Sequence, residues 1–328
     1  MKILVTGGAG YIGSHTVRAL RDAGHSVVIF DNLSTGHREA VRDFELIVGD
    51  LSDKSALDRV FSENDFDAVV HFAGSIEAGE SMTDPKRFFE NNVVCSLNLL
   101  EAMLTHDVKN IVFSSTAAVY GEAETMPIDE TAPTLPTNVY GLSKLMFEQI
   151  LETYDSAYGL KSVRLRYFNA AGADPSGEIG EDHPNESHLI PLVLRTAQGK
   201  RRDIKIFGTD YPTPDGTGIR DYVHVSDLAQ AHALALEYLE KEAASDVFNL
   251  GNGTGISVRS VIETAKKITG MGFTVSEENR RTGDPAKLFA SSKKAARVLG
   301  WKPCHSAIED IVSSAWNWHR SHPNGYLN

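Results

Sequence analysis

The sequence is short of cysteine, of positive charge and of long apolar runs, and each shortage argues against a class of protein. Its two cysteines, Cys95 and Cys304, lie far apart and offer no metal-ligand spacing. We therefore predict reduced structural thiols in a cytoplasmic protein, and no metal site. The 32 basic residues against 44 acidic ones give a net charge of −12, which disfavours nucleic acid or an anionic membrane as a partner.

The apolar residues suit a globular core and not a membrane. No stretch approaches the roughly 20 consecutive apolar residues of a spanning helix. The N-terminus has one lysine and then only three apolar residues before Thr6, which is unlike a signal peptide. Hydrophobic residues make up 41% of the 328-residue chain, which is enough for one large or two moderate domains.

The most informative segment is the N-terminal MKILVTGGAGYIG. Residues 2–6 form an apolar run long enough for one buried strand, and an amphipathic segment follows the glycines. Gly7, Gly10 and Gly13 mark the turn between them. Glycine lets the backbone turn tightly and approach a pyrophosphate, whose charge then faces a helix N-terminus. The pattern predicts a dinucleotide cradle.

Asp31 adds the cofactor type to this prediction. It ends a second predicted strand, 27–30, eighteen residues after Gly13. There its carboxylate is placed to accept hydrogen bonds from an adenosine ribose. The same charge would repel a 2′-phosphate, so we predict NAD and not NADP.

Strands and helices alternate through about residue 170. Further strands are predicted at 45–48, 68–71, 111–114 and 162–166, and helices at 54–61, 85–106 and 140–158. This alternation predicts an α/β fold with a doubly wound parallel, Rossmann-type sheet. After 170 the alternation weakens: 171–191 reads as loops, 225–239, 257–269 and 308–319 as helices, and 247–250 as a strand. We predict an NAD-binding domain at 1–170 and a smaller mixed α/β substrate domain at 171–328, although segments near 225–250 could rejoin the first.

Chemically useful residues recur where predicted strands end, at Gly7, Asp31, Asp50, Phe72 to Gly74, Ser115-Thr116 and Tyr167 to Asn169. Ligands bind at the carboxyl ends of strands in such sheets, so these positions predict one site.

Tyr140 and Lys144 begin a predicted helix in the segment YGLSK. A spacing of four places both side chains on one face, with Cβ atoms about 5–6 Å apart. A phenol ionises near pH 10, so it needs about 4 kcal/mol to act as a base at pH 7. A lysine charge at ~6 Å supplies roughly 2–3 kcal/mol, and the charge of NAD⁺ can supply the rest. Thr116 offers a hydroxyl that can bond both phenol and substrate.

These motifs resemble the short-chain dehydrogenase/reductase family, in its extended nucleotide-sugar branch, and most closely the UDP-galactose 4-epimerases. The resembling segments span nearly the whole chain in order: TGGAGYIGSH (6–15), DNL (31–33), GDL (49–51), HFAG (71–74), NNV (91–93), FSSTAAVYG (113–121), YGLSK (140–144), RYFNAAGA (166–173), HLIP (188–191), IFGTDYPTPDGTGIRDYVH (206–224), RRTGDP (280–285) and WNWHRSHPNGY (316–326).

The resemblance implies the cofactor contacts. It places Tyr11 and Ile12 at the pyrophosphate beside Gly7, Gly10 and Gly13. The remaining residues line the adenosine half (Asp31, Asn32, Leu33, Ser34, Thr35, Gly36, Asp50 and Leu51) and the nicotinamide half (Phe72, Ala73, Gly74, Ser75, Ile76, Asn91, Thr116, Tyr140, Lys144 and Phe168).

It also implies a UDP-hexose site next to Thr116 and Tyr140. The residues implied to hold the UDP-sugar are Asn169, His188, Leu189, Ile190, Lys205, Ile206, Phe207, Arg220, Arg281, Asp284 and Leu288. Arginines can pair with a diphosphate through forked donors, and Phe207 can stack on uracil.

Two positions depart from the family pattern. Ile76 stands where many epimerases carry a lysine that reaches the cofactor phosphate, so we expect weaker retention of NAD. His188 stands where some members have asparagine. Either side chain can donate to a uracil carbonyl.

Ala117 and Ala118 discriminate between reactions in this branch. Related dehydratases carry Asp-Glu at these positions and use them to eliminate water, which alanine cannot do. The resemblance thus implies interconversion of UDP-glucose and UDP-galactose through C4 oxidation, rotation of the 4-keto sugar and re-reduction.

Other readings stay open, as does the oligomeric state. A related epimerase of UDP-N-acetylhexosamines or UDP-pentoses is the main alternative, because Leu288 leaves an intermediate space at the sugar 2-substituent. An NAD-sensing regulator on the same fold is another, although such proteins commonly lose the Tyr–Lys pair. The family also implies a homodimer built on helices near 91–106 and 140–158.

Overall fold

The computed structural model describes residues 1–242, 244–281 and 284–326. Its strands are β1 (Lys2–Thr6), β2 (Ser26–Asp31), β3 (Glu45–Val48), β4 (Ala68–His71), β5 (Asn110–Thr116), β6 (Lys161–Tyr167), β7 (Asn169–Ala171), β8 (Asp203–Phe207), β9 (Ile219–Arg220), β10 (Tyr222–His224), β11 (Asp246–Leu250), β12 (Ile256–Ser257), β13 (Thr274–Glu278) and β14 (Lys287–Leu288).

The helices alternate with these strands through the first half. They are α1 (Tyr11–Asp22), α2 (Lys54–Ser62), α3 (Ala78–Ser81), α4 (Pro85–Phe89), α5 (Cys95–Thr105), α6 (Val139–Tyr158), α7 (Leu189–Ala197), α8 (Val225–Glu242), α9 (Val258–Thr269), α10 (Lys293–Val298) and α11 (Ile308–Ser321). Among the described residues, no helix combines the length and the apolar character needed to cross a membrane.

A seven-stranded parallel sheet forms the centre of the molecule, in the order β11-β6-β5-β4-β1-β2-β3. Its central strands are continuous apolar runs because helices cover both faces, and Ile3, Leu4 and Val5 of β1 are fully buried. The predicted doubly wound fold is confirmed. The chain order reverses between β1 and β4, which places the ligand crevice at the carboxyl ends of these two strands.

α6 carries the predicted Tyr–Lys pair, and local signals fix both of its ends. The Asn138 side chain caps the helix by accepting the Gly141 N–H at 2.8 Å. Gly159 ends it with φ of 70°, in the left-handed region that favours glycine. Because the cap directly precedes Val139, Tyr140 lies in the first helical turn.

The predicted helix at 85–106 is interrupted by a π-helical turn, Glu90–Val94, between α4 and α5. The wider turn inserts an extra residue into the helical repeat. It holds Asn92, which is 3% exposed. Hydrophobic spacing did not reveal the turn, because both flanking helices keep the ordinary repeat.

Smaller sheets and a separate apolar core build the second half. β12-β9-β14 form one sheet, while β7 pairs with β10 and β8 with β13. α7, β8 and β13 were not predicted from the sequence. β11 joins β6 in the main sheet, and α8 packs on α1. The division of the chain at residue 170 stays a prediction.

Candidate active site

The glycine turn after β1 is shaped by close backbone contacts. Gly7 has φ of 70°, and a Cβ there would lie 2.5 Å from the Ala73 nitrogen. A Cβ on Gly13 would lie 2.3 Å from the Gly7 oxygen. At Gly10 the nearest atom would be 3.4 Å away, which is ordinary clearance. The turn thus leaves space beside Gly10, the N-cap of α1, where a pyrophosphate would meet helix N–H groups.

Asp31 ties the ends of two strands together. Its carboxylate accepts hydrogen bonds from the N–H groups of Ala9, at 2.9 Å, and Leu33, at 2.8 Å. Burial raises its pKa, and these two bonds work against that rise. An ionised carboxylate offers about four acceptor positions, so the predicted ribose contact is compatible with both bonds.

The adenosine side continues with Asn32 and Asp50. The Asn32 side-chain amide donates to Asp50 at 2.7 Å, and Ser52 donates to the same carboxylate from its N–H at 2.8 Å. Hydrogen bonds from Ser52 and Asn32 lower the pKa of Asp50. Leu51 is buried in the apolar core behind them. The residues predicted to hold adenosine therefore follow the neighbouring strands β2 and β3.

Asn92 organises the predicted nicotinamide side. Its Oδ1 accepts the Ser75 N–H at 2.7 Å, and its Nδ2 donates to the Ser75 carbonyl and to the Ser143 hydroxyl, each at 3.0 Å. Asn91 donates to the Ser75 hydroxyl at 3.0 Å. The sequence prediction named Asn91 but not Asn92 or Ser143. The NNV segment was the available signal, yet only the fold shows that Asn92 joins the loop after β4 to α6.

Other predicted cofactor residues lie around this loop. Phe72 packs against His232, with ring centroids 4.6 Å apart. Phe168 packs with Leu288 against a small apolar cluster. Ile76 is 39% exposed, so its side chain is available at the surface where the family's lysine is expected.

Lys144 is buried beneath the reacting edge of the sheet. It is 3% exposed, and its Nζ donates to the Ser114 carbonyl at 3.0 Å. Burial lowers its pKa to about 8, although Glu148 works in the opposite direction. The amine is therefore mostly protonated at pH 7. A Cβ on Gly74 would lie 3.5 Å from Nζ, so the loop after β4 passes close to this charge.

Tyr140 and Thr116 are neighbours. Burial raises the pKa of Tyr140, and a hydrogen bond with the Thr116 side chain lowers it. Thr116 ends β5 and is 8% exposed. The structure thus brings together the three predicted catalytic residues, and the protein alone leaves the phenol protonated at pH 7.

A buried ion pair supports this edge from behind. Arg166 of β6 and Glu148 of α6 have side chains 7% and 2% exposed, and Arg166 Nε lies 2.9 Å from Glu148 Oε1. Arg166 also donates to the Tyr120 hydroxyl at 2.9 Å. The pair links α6 to β6, and no local pattern predicts it because its partners are eighteen residues apart.

We expect Glu148→Gln to lower the free energy of unfolding by about 3–5 kcal/mol, because it leaves the Arg166 charge buried without its counterion. Chemical denaturation measures the change. Glu101→Gln is the control, since Glu101 and its partner Lys54 have side chains 56% and 63% exposed. Its expected loss is at most about 1 kcal/mol. Equal losses in both variants would contradict the role given to the buried pair.

A cavity of about 300 Å³ lies among β8, β9, α7 and the start of β7. Nine predicted substrate residues line it: Asn169, His188, Leu189, Ile190, Lys205, Phe207, Arg220, Arg281 and Asp284. The sequence did not single out Ser187, Leu192, Arg201, Tyr211, Gly218 or Tyr222, which also line it. Tyr211, Gly218 and Tyr222 fall within the motif IFGTDYPTPDGTGIRDYVH, which was their signal.

Charged side chains occupy one wall of this cavity. Arg220 lies 3.7 Å from Asp284 and donates to the Pro285 carbonyl at 2.8 Å. The Arg281 guanidinium stands 3.8 Å above the centre of the Phe207 ring. Arg281 therefore makes a cation–π contact with Phe207, and the same kind of ring can stack on a flat aromatic ligand.

Two other predicted substrate residues, Ile206 and Leu288, do not line the cavity, and Lys205 lines it from an exposed position. The Ile206 side chain is 1% exposed and packs in the second apolar core, because side chains alternate along β8. Lys205 is exposed and lies 2.9 Å from Glu278. Leu288 packs near Phe168, outside the residues that line the cavity.

The register of two strands connects the cavity to the reacting residues. Thr116 of β5 lies opposite Tyr167 of β6. Two residues further along the chain, Asn169 lines the cavity. A dinucleotide cradle at the switch point, a Tyr–Lys–Thr set at the same sheet edge and an adjoining polar cavity define a dinucleotide-dependent enzyme.

Residues 3–251 match the NAD dependent epimerase/dehydratase family, and the chain belongs to that family. It is 54% identical over 326 residues to the UDP-glucose 4-epimerase of Halalkalibacterium halodurans, covering 99% of this chain and 98% of that one. A crystal structure of a UDP-glucose 4-epimerase superposes with a TM-score of 0.98 at 49% identity, covering all of both chains. The enzyme of Bifidobacterium longum, solved with NAD⁺ and UDP, gives 0.94 at 40% identity, covering 99% and 100%.

Proposed function

We propose that this protein interconverts UDP-glucose and UDP-galactose by epimerisation at C4, with NAD as its resident cofactor. The observation that carries the proposal is the register of β5 and β6, which sets Thr116 beside the strand that leads into the polar cavity at Asn169. Residues 1–170 would hold the cofactor and 171–328 the UDP-sugar.

Bound NAD⁺ supplies the hydride acceptor for the sugar C4 and, once reduced, the donor. Tyr140 removes the proton of the 4-hydroxyl and later returns one to the 4-keto oxygen. Thr116, which bonds the phenol, orients both the phenol and the sugar hydroxyl. The Lys144 ammonium, one helical turn from Tyr140, favours the phenolate.

The UDP part of the substrate must stay bound while the 4-keto sugar rotates. Arg220 and Arg281 offer forked donors for a diphosphate on the cavity wall, and Phe207 offers an aromatic face for uracil. This anchoring lets either face of the sugar meet the cofactor without release of the nucleotide. His188 and Asn169 add donors beside them.

The direct test is incubation of the purified protein with UDP-galactose and, separately, UDP-N-acetylgalactosamine, followed by separation of the C4 epimers. We expect conversion of UDP-galactose to UDP-glucose. Preferential conversion of the acetamido sugar would favour the alternative epimerase. No conversion of either sugar in the presence of NAD would overturn the proposal.

The alanine at position 118 predicts that this protein does not eliminate water from the sugar, as the related dehydratases do. It occupies the position after Ala117 at which the dehydratases of this branch place a glutamate, and alanine can transfer no proton. We expect that Ala118→Glu does not create a dehydratase, because Ala117 still lacks the partner acid. Mass spectrometry of the products checks this, with wild type as the control. A 4-keto-6-deoxy sugar from the variant would contradict it.

The proposed setting is a homodimer in the cytoplasm. Two helices implied to form the dimer expose apolar side chains, Val94 at 52% and Leu142 at 39%. The free cysteines Cys95 and Cys304 suit a reducing compartment. Light scattering of the purified protein measures the mass of the assembly, and a mass of one chain would contradict the dimer.

A further inference from the structure

Four side chains between β7 and α7 form a cluster with the composition of a metal site. Glu181, His183, Glu186 and His188 each direct one ligand atom inward, and these atoms all lie within 4.8 Å of one another. The two glutamate side chains are buried, at 4% and 1% exposed. We refer to these four residues as the acid–histidine cluster.

The distances within the cluster are short and shared. His188 Nδ1 lies 2.8 Å from Glu181 Oε1 and 3.1 Å from Glu186 Oε1. His183 Nδ1 lies 3.4 Å from an oxygen of each glutamate. The Nδ1 atoms of the two histidines therefore each lie close to both carboxylates.

The hydrogen bonds leave one carboxylate unsatisfied. A protonated Nδ1 donates a single hydrogen, and both histidines are oriented to donate to Glu186. Within the part of the chain that the structure describes, Glu181 Oε1 is buried and accepts no hydrogen bond. Although His188 Nδ1 lies 2.8 Å away, a buried carboxylate oxygen at which no hydrogen points is costly, and a cation among these four side chains would satisfy it.

We propose that the acid–histidine cluster binds a divalent transition metal ion, best matched by Zn²⁺. Two imidazole nitrogens and two carboxylate oxygens are ligands that Zn²⁺ accepts, and the two carboxylates balance its charge. Tetrahedral bonds of about 2.0–2.2 Å set neighbouring ligand atoms about 3.3–3.6 Å apart. The four nitrogen–oxygen separations are 2.8 to 3.4 Å and all ligand atoms lie within 4.8 Å of one another, so small side-chain shifts would bring them to this arrangement.

Four protein ligands make this a structural ion and not a catalytic one. The position of the ion indicates which segments it would hold together. His183 packs edge-on against the ring of Tyr11, at 6.2 Å between centroids, and Tyr11 opens α1 behind the glycine turn. His188 lines the cavity and occupies the N-cap position of α7. The ion would therefore fix the segment that joins the cofactor turn to the cavity.

Metal binding would also set the chemistry of His188. Ligation through Nδ1 leaves the proton on Nε2, which keeps a donor on the imidazole. The prediction of no metal site rests on the two cysteines, whereas this cluster consists of glutamates and histidines that fall within eight positions of the chain.

The test measures metal and not turnover, so its failure would leave the proposed function untouched. Purified protein is loaded with Zn²⁺, freed of excess by gel filtration and assayed for metal content. We expect about one Zn²⁺ per chain. Loading with Co²⁺ instead should give the intense visible absorption of a tetrahedral ion.

Variants locate the site. Glu181→Gln and His183→Asn should each weaken Zn²⁺ binding by at least about tenfold. His106→Asn is the control, because His106 is a histidine paired with Asp58 at 2.9 Å on a different surface, and its variant should bind as wild type. Circular dichroism verifies that each variant is folded.

Two results would overturn the proposal. One is wild-type protein that keeps well under one equivalent of Zn²⁺ and shows only the weak spectrum of octahedral Co²⁺, which requires no variant to fold. The other is a folded Glu181→Gln protein that binds Zn²⁺ as tightly as His106→Asn.

Discussion

Replacing Tyr140 with phenylalanine should reduce turnover by about 10³-fold while leaving UDP binding unchanged. The variant removes the one hydroxyl that exchanges a proton with the sugar in both directions, and such a group contributes roughly 10²–10⁴-fold. Thr116 and Lys144 remain, but neither replaces it. The Thr116 hydroxyl is a far weaker acid than the phenol, and Lys144 is occupied by the Ser114 carbonyl.

A rate assay with UDP-galactose and calorimetric titration with UDP separate the two effects. UDP affinity should stay within about threefold of wild type, because Arg220, Arg281 and Phe207 line a cavity that Tyr140 does not. Tyr158→Phe is the matched control, since Tyr158 ends the same helix and is 55% exposed. Turnover of Tyr140→Phe near that of Tyr158→Phe would remove Tyr140 from the mechanism.

Replacing Gly13 with alanine should weaken NAD binding by about 100-fold, equivalent to roughly 2.7 kcal/mol. The new Cβ would lie 2.3 Å from the Gly7 oxygen and 2.8 Å from the Gly8 Cα. Both are backbone atoms of a tight turn and cannot rotate away. α1 must therefore withdraw from the turn, which moves its N–H groups away from the pyrophosphate. Losing one or two charge-assisted hydrogen bonds accounts for the expected effect.

Titration of the protein with NAD, together with a thermal melt, checks this expectation. The melting temperature should also fall, because overpacking lowers the free energy of unfolding by about 1–3 kcal/mol. Gly272→Ala is the control, since a Cβ there would meet no atom of the described chain within 4 Å. If Gly13→Ala bound NAD and melted like Gly272→Ala, close packing would not be the reason for glycine at position 13.

Local pattern was sufficient for much of the fold. β1, β3 and β4 were predicted with the bounds that the structure has. The apolar runs of β1 and β4 are buried in the sheet, whereas β3 is a half-exposed edge strand that its short apolar run still revealed. The small strands were missed for the opposite reason. β9, β12 and β14 have two residues each, too few for any periodicity.

The residues of the predicted site likewise fall into those that local sequence could predict and those that it could not. Tyr140 and Lys144 could be paired from sequence because one helix carries both. The cradle could be predicted because a strand, three glycines and a helix follow each other directly. The lining of the cavity came instead from resemblance, and side-chain alternation in β8 turned Ile206 away from it.

The sequence by itself determined the order of elements, the glycine turn, the reacting pair and the alanines that exclude elimination, since each depends on residues near one another in the chain. Only the tertiary structure decided which distant side chains meet. It joined Asn92 to Ser143, set Arg166 against Glu148 and placed Arg281 over Phe207. It also folded the acid–histidine cluster so that Glu181 Oε1 is buried without a donor. Such contacts depend on how helices and strands pack, and hydrophobic period and glycine spacing carry no information about that packing.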